Sequence, residues 1–312
     1  MRRLISYIAV LTFLLLNAQR ADAVIFFGGY DSNSLGMLWR ASSDGSNVQT
    51  LLSGLPGGVF QLALDLDAGK IYWVGGGINR ANLDGTGLES VISGPLSAEQ
   101  GVAIDTIGHK VYWSERDTDR IRRANLDGTG IEDVVTGVVQ PRHLALDLDD
   151  NKVYWAQSGD RSSNVVQRAD LNGAGTEALL TGTRPTGVAL DLVNGKVYWT
   201  DYGTATIERA NLNGTGRQLL VSGVGGSGPG GPALDLDGGM MYWTEDANGC
   251  VRRATLDGNS SAILIEMQGR TLKDVVFVPD SAVPEPSVFG LLGVGTIALL
   301  GFAWRRRRLA TS

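Results

Sequence analysis

Cysteine occurs once in the 312 residues, at Cys250, and histidine twice, at His109 and His143. One thiol excludes an intrachain disulfide framework and any zinc site built on two cysteines. Two scattered imidazoles leave little for metal or triad chemistry. Proline is sparse at nine residues, and aromatic side chains make up only 7%. With 43% hydrophobic and 19% charged residues, the chain has the make-up of a globular body rather than of a disordered or polytopic membrane protein. What it has in excess is glycine: 43 residues with no Gly-X-Y period, which points to many tight turns and so to a β protein.

The two ends read as targeting segments. Residues 1–23 carry Arg2 and Arg3, an apolar run over 4–16, and Ala21-Asp22-Ala23, the three parts of a secretory signal peptide, with cleavage by signal peptidase expected before Val24. At the other end, residues 288–304 hold no charge and run directly into Arg305, Arg306, Arg307 and Arg308, a stretch just long enough for a transmembrane helix with a cytoplasmic arginine end. Pro284-Glu285-Pro286 stands ahead of it. This order closely resembles the PEP-CTERM sorting signal of Gram-negative bacteria. The resemblance implies that 283–312 is a sorting signal and the protein an exosortase substrate. A membrane protease of that type would cut near the tripeptide and pass the chain from an inner-membrane intermediate to the cell surface or extracellular matrix. A simple C-terminal anchor is the alternative.

Without these ends, residues 24–282 keep 20 basic against 31 acidic side chains, a net charge of −11. No basic stripe remains to displace counterions from a phosphate backbone, so nucleic acid is excluded as a partner.

A repeat fills this body. Tyr-Trp pairs recur at Tyr72-Trp73, Tyr112-Trp113, Tyr154-Trp155, Tyr198-Trp199 and Tyr242-Trp243, spaced by 40, 42, 44 and 44 residues, with Phe26-Phe27 as a sixth copy. Ala-Leu-Asp or a variant precedes each of the five Tyr-Trp pairs, as in Ala189-Leu190-Asp191, and Arg-Ala followed by Asp-Gly or Asn-Gly comes after. In the copy that holds Tyr198-Trp199, residues 188–192, 197–200, 207–212 and 218–221 read as four short strands joined by hairpin turns. Four-strand units of this length are blades of a β-propeller, and neighbouring Tyr and Trp, pointing to opposite faces, would wedge against both adjacent blades. The body starts, at 24–27, at a second-strand position and carries, at 272–278, an apolar strand left over after the last repeat. That last strand is expected to complete the first blade, giving six.

Tyr198-Trp199-Thr200-Asp201, with Ala189-Leu190-Asp191 before it and 207–214 after it, resembles the low-density lipoprotein receptor class B repeat, the YWTD unit of six-bladed propellers. The likeness runs over 24–282. The last two motif positions depart from it in the other copies, as in Ser114-Glu115 and Ala156-Gln157. The resemblance implies an all-β six-bladed propeller and a protein- or ligand-binding role, and no endocytic function, because the accompanying cysteine-rich modules are absent.

Chemistry has few places to sit. The recurrent Arg80, Arg123, Arg168, Arg209 and Arg253, with Arg40, occupy one repeat position and are expected to hold the fold through bonds to Asp105, Asp147, Asp191 and Asp235. Asp65-x-Asp67, Asp147-x-Asp149 and Asp235-x-Asp237 suit hairpin turns better than calcium loops, and no metal or cofactor is expected. Catalytic residues are not expected either: the channel positions Gln61, Gly101, His143, Gly187, Gly231 and Asp274 include a single acid. The loops after each Tyr-Trp strand and before each Ala-Leu-Asp strand vary, and antiparallel order puts both sets on one face. Candidate ligand contacts there are Glu115, Asp117, Arg142, His143, Arg161, Arg184, Tyr202 and Asp246. The expectation is a non-enzymatic, monomeric binding or interaction module for extracellular protein or polysaccharide. A calcium-dependent propeller hydrolase or lactonase and a purely structural surface protein are the alternatives.

Overall fold

Each blade is a four-stranded antiparallel sheet, and a computed structural model contains six of them. It describes residues 23–94, 99–159, 165–181, 184–225, 230–246 and 248–280; the expected signal segment, the sorting motif with its helix and Arg161 lie outside these. Among the described residues all regular structure is strand, 24 in all, and no helix is long and apolar enough to cross a membrane.

The first sheet joins the two ends of the propeller chain. β1 (Val24–Tyr30) pairs on one side with β2 (Gly36–Ser42), which pairs with β3 (Gln49–Leu55), and on the other side with β24 (Thr271–Val278). The C-terminal strand thus supplies the inner strand that the first blade lacks, as the leftover apolar segment requires. The other sheets each take four consecutive strands, from β4 (Leu62–Asp65) through β23 (Ala262–Glu266). In the fifth blade the strands are Pro185–Asp191, Lys196–Asp201, Thr206–Asn211 and Gln218–Ser222, within three residues of the sequence reading.

The aromatic pairs fill the seams between blades. Tyr112 and Trp155, from consecutive blades, share one buried cluster with Ile121 and Val153, and Tyr154 and Trp199 repeat the arrangement at the next seam. At the seam that closes the ring, Phe27 stacks on Trp39 at 5.5 Å and Tyr242 on Phe277 at 5.7 Å.

Polar contacts repeat around the ring as well, with partners other than those expected. Arg123 donates to Glu132 at 2.7 Å, to Tyr112 Oη at 3.1 Å and to the Leu171 carbonyl of the next blade at 3.0 Å. Arg80 and Arg168 do the same with Glu89, Tyr72 and Leu126, and with Glu177, Tyr154 and Leu212. Arg209 uses Gln218, Tyr198 and Leu256. The acids expected to receive these arginines close their own hairpins instead: Asp105 Oδ1 accepts the Gly108 N–H, Asp147 that of Asp150, Asp191 that of Asn194 and Asp235 that of Gly238. An Asp at the last residue of a strand is already at the distance of an Asx turn, so the local partner wins.

The Asp-Gly or Asn-Gly turn has a second job. Gly128, Gly173, Gly214 and Gly258 all adopt φ between +81° and +87°. A Cβ on any of them would also stand within 2.4 Å of a carbonyl oxygen on the preceding blade's outer strand. Turn geometry and blade contact both demand glycine there.

Candidate functional site

The inner strands of the six blades line the axis, and antiparallel order sends their N-terminal ends to the face that carries the variable loops. Here the polar side chains of three blades close the channel. Gln61 Oε1 accepts the N–H groups of Val102 and Leu144, both at 3.1 Å, and its Nε2 donates to the Leu144 carbonyl at 2.9 Å, tying the second, third and fourth blades together. Asp274 Oδ2 accepts the Leu62 N–H at 2.8 Å, and His143 Nδ1 accepts that of Gly231 at 3.3 Å. His143 Nε2 lies 3.7 Å from Asp274 Oδ1. A Cβ on Gly187 would fall 2.1 Å from Gly231 N, so these two glycines let the fifth and sixth blades meet. Toward the hairpin side, the channel opens into a cavity of about 290 Å³ lined mainly by apolar residues such as Leu64, Val188, Leu190, Val275 and Phe277.

Both ionisable groups at this hub are driven toward neutrality. Burial, reinforced by the charge of Arg142, pushes the His143 imidazole down from 6.5 to about 3. Burial holds the Asp274 carboxyl well above 3.8 despite the N–H groups of Leu62 and Val275 that it accepts. The two act oppositely on stability. As pH falls below 6.5 the unfolded chain takes up a proton that folded His143 refuses, and the fold weakens toward pH 3. As pH rises above 3.8 the unfolded chain releases a proton that folded Asp274 keeps, and the fold weakens in that direction. Asp274→Asn, which preserves an acceptor for Leu62, should therefore gain stability over the wild type as pH rises above about 4. Urea midpoints across that range measure it; a gap that stays flat or narrows would contradict this assignment.

The structure sorts the candidate contacts. His143, Glu115 and Asp246, read from sequence as parts of an exposed face, are buried at 7%, 2% and 4% exposure. Glu115 accepts from Trp113 Nε1, Thr118, Arg120 and Arg122. Burial alone would raise its pKa, but the hydrogen bonds of Thr118, Trp113 and Arg120 hold the carboxyl below the usual carboxylate range. Asp246 receives Lys273 Nζ at 3.1 Å. These acids end the second strand or directly follow it, where they brace the loops instead of facing solvent.

Arg142, Arg184 and Tyr202 are brought together at the loop side. Asp117 is exposed and accepts from Arg116 Nε at 3.3 Å. Arg184 lies over the Tyr202 ring at 4.9 Å, its own N–H donates to Asp201 Oδ2, and the Tyr202 N–H returns to the Arg184 carbonyl. Arg142 feels the charges of Arg116 and Arg184. Arg116 contributes to this group more directly than the buried Glu115 and Asp246. The sequence signal for it was its place in the loop after Glu115. Among the described residues no group of three or more His, Cys, Asp or Glu side chains gathers as a metal site would require.

Comparison with known proteins adds two findings. Residues 282–308 match the family model of the PEP-CTERM protein-sorting motif. Among solved structures, the fold is similar to a chain in the crystal structure of a nidogen/laminin complex, with TM-score 0.73 at 20% identity over 83% of this chain and 98% of that one. It is also similar to TolB from Acinetobacter baumannii, with TM-score 0.68 at 15% identity over 82% of this chain and 67% of that one. No curated protein sequence matches. At these identities the likeness shows the fold alone. The chain is a six-bladed β-propeller that carries a PEP-CTERM protein-sorting motif, which implies processing by exosortase-type machinery and export to the cell surface.

Proposed function

We propose that the protein is a non-catalytic binding module that presents the loop face of its propeller to a protein or polysaccharide at the cell surface or in the extracellular matrix. The observation that carries this reading is the contrast between the two faces. On the hairpin face, Asp65, Asp105, Asp147, Asp191 and Asp235 all close their turns in nearly the same way. On the loop face each blade differs, and an asymmetric ligand is recognised by difference. The nidogen/laminin structure gives a propeller of this shape within a complex of two proteins, which supports the same reading. A hydrolase would need carboxylates converging on the channel, and the axis residue Asp274 is already engaged by the Leu62 N–H.

Capture of surface and matrix components from the exporting cells on the purified protein tests this. Replacing Arg116, Arg184 and Tyr202 together by Ala should abolish capture while moving the melting temperature little, since exposed changes usually cost under about 0.5 kcal/mol each. Replacing Ile107 and Val193, which are 74% and 84% exposed on the hairpin face, should leave capture intact. The reverse outcome would place recognition on the other face.

A further inference from the structure

One residue precedes the axis position in every blade: Phe60, Gln100, Arg142, Thr186, Gly230 and Lys273. Two of these are cations, and they differ in one respect. Lys273 has its carboxylate, Asp246, at 3.1 Å, and lies 5.7 Å from the Tyr30 ring. Arg142 forms no ion pair among the described residues, and its Nε is buried with no hydrogen-bond partner. Where the third, fifth and sixth blades carry Glu115, Asp201 and Glu245, the fourth carries neutral Gln157. The charges that reach Arg142 are those of Arg116 and Arg184, which, after burial, hold its guanidinium below the ordinary arginine value.

This arrangement is costly. The repeat arginines Arg80, Arg123 and Arg168 each hold a carboxylate, a tyrosine hydroxyl and a carbonyl. In an acidic body, counter-charge is abundant, yet two guanidinium groups, Arg116 and Arg184, gather at the channel mouth around a third that lacks it among the described residues. An uncompensated, partly desolvated charge destabilises a fold, and its place is explained when a ligand supplies the counter-charge. Arg116 brings Asp117 with it, but that contact is an exposed pair between sequence neighbours and is worth under about 1 kcal/mol.

The chemistry of the ligand follows from the side chains. A guanidinium fork matches a planar carboxylate with two parallel hydrogen bonds. Tyr202, 38% exposed and packed on Arg184, offers an aromatic ring beside that fork, an amphipathic platform suited to the C–H face of a sugar. We propose that Arg142, flanked by Arg116 and Arg184 and with Tyr202 beside them, binds the carboxylate of a uronate residue in an acidic polysaccharide. This rests on the loop face being the binding surface, and it names the ligand class.

Titration calorimetry on the full-length protein in mild detergent tests it with three probes: trigalacturonate, a neutral trisaccharide and a short glutamate-rich peptide. Trigalacturonate should bind, more weakly as salt rises, and the neutral sugar should not. Arg142→Gln should weaken trigalacturonate binding at least about 30-fold, the loss expected when one partner of a desolvated charge pair is removed. Arg184→Gln should weaken it in the same direction and serves if Arg142→Gln fails to fold. Without ligand, Arg142→Met should melt at or above the wild-type temperature, because the unpaired charge is gone and the stem is kept. Absence of trigalacturonate binding at millimolar concentration, binding that survives both glutamine variants, or binding of the peptide alone would overturn the proposal. If uronate fails while capture of surface components still depends on Arg116, Arg184 and Tyr202, the uronate site is wrong and the loop-face reading stands.

Discussion

A chain ending at Arg270 should lose its cooperative thermal transition or melt far below the intact propeller, and aggregate. The missing strand, β24, carries Leu272 and Val275 at 0% and 2% exposure, and burying each fully is worth about 1.5–3 kcal/mol. It also supplies Asp274, which receives the Leu62 N–H of the second blade, and the whole ladder against β1. Those losses approach the 5–15 kcal/mol that typically separates folded from unfolded chains. They also expose the inner edge of a sheet to pairing with other molecules. Differential scanning calorimetry with light scattering checks this. A truncated chain that melts like the intact one would show that the first blade closes without its C-terminal strand.

The second large effect is expected at the hub. Gln61→Leu keeps roughly the volume of the side chain but strands the N–H groups of Val102 and Leu144 and the carbonyl of Leu144 in a buried site. Each unsatisfied group costs about 1–3 kcal/mol, so the variant should lose roughly 3 kcal/mol or more. For a body of this size that is a fall of roughly 6–12 °C in melting temperature. Asp67→Ala, on an exposed hairpin, should change it by less than about 2 °C. If Gln61→Leu melts within that smaller margin, the three blades are not held by this side chain.

Much of this architecture is legible from the repeat, for a physical reason. A blade position recurs six times and meets the same surroundings each time, so its residue type recurs too. The Tyr-Trp pairs, the turn glycines and the missing first strand were readable on that ground. Pairing between side chains was harder to read. Arg123 reaches Glu132, nine residues on, across a third-to-fourth strand pair whose register shifts between Ile121 and Arg122. That bulge is invisible without the sheet, and Asp105 and Asp147 looked like better partners until their turns claimed them. The loop face resisted for the opposite reason: its residues occur once each. Nothing in the spacing of Glu115 or Asp246 separates a buried brace from an exposed contact, and His143, legible both as a channel position and as a loop-face contact, is buried at the axis. Arg142 is intermediate. Its contrast with Lys273 and the neutral Gln157 in its blade were both present in the sequence, but their meaning depended on knowing that Asp246 faces Lys273.

Amide hydrogen exchange, measured on the protein with and without the surface fraction it captures, tests the central claim most directly. The account predicts slowed exchange at residues 116–119, 141–143 and 201–204, with the hairpins at 66–69, 106–109 and 192–195 unchanged. Protection confined to the hairpins, with the loops unaffected, would contradict it.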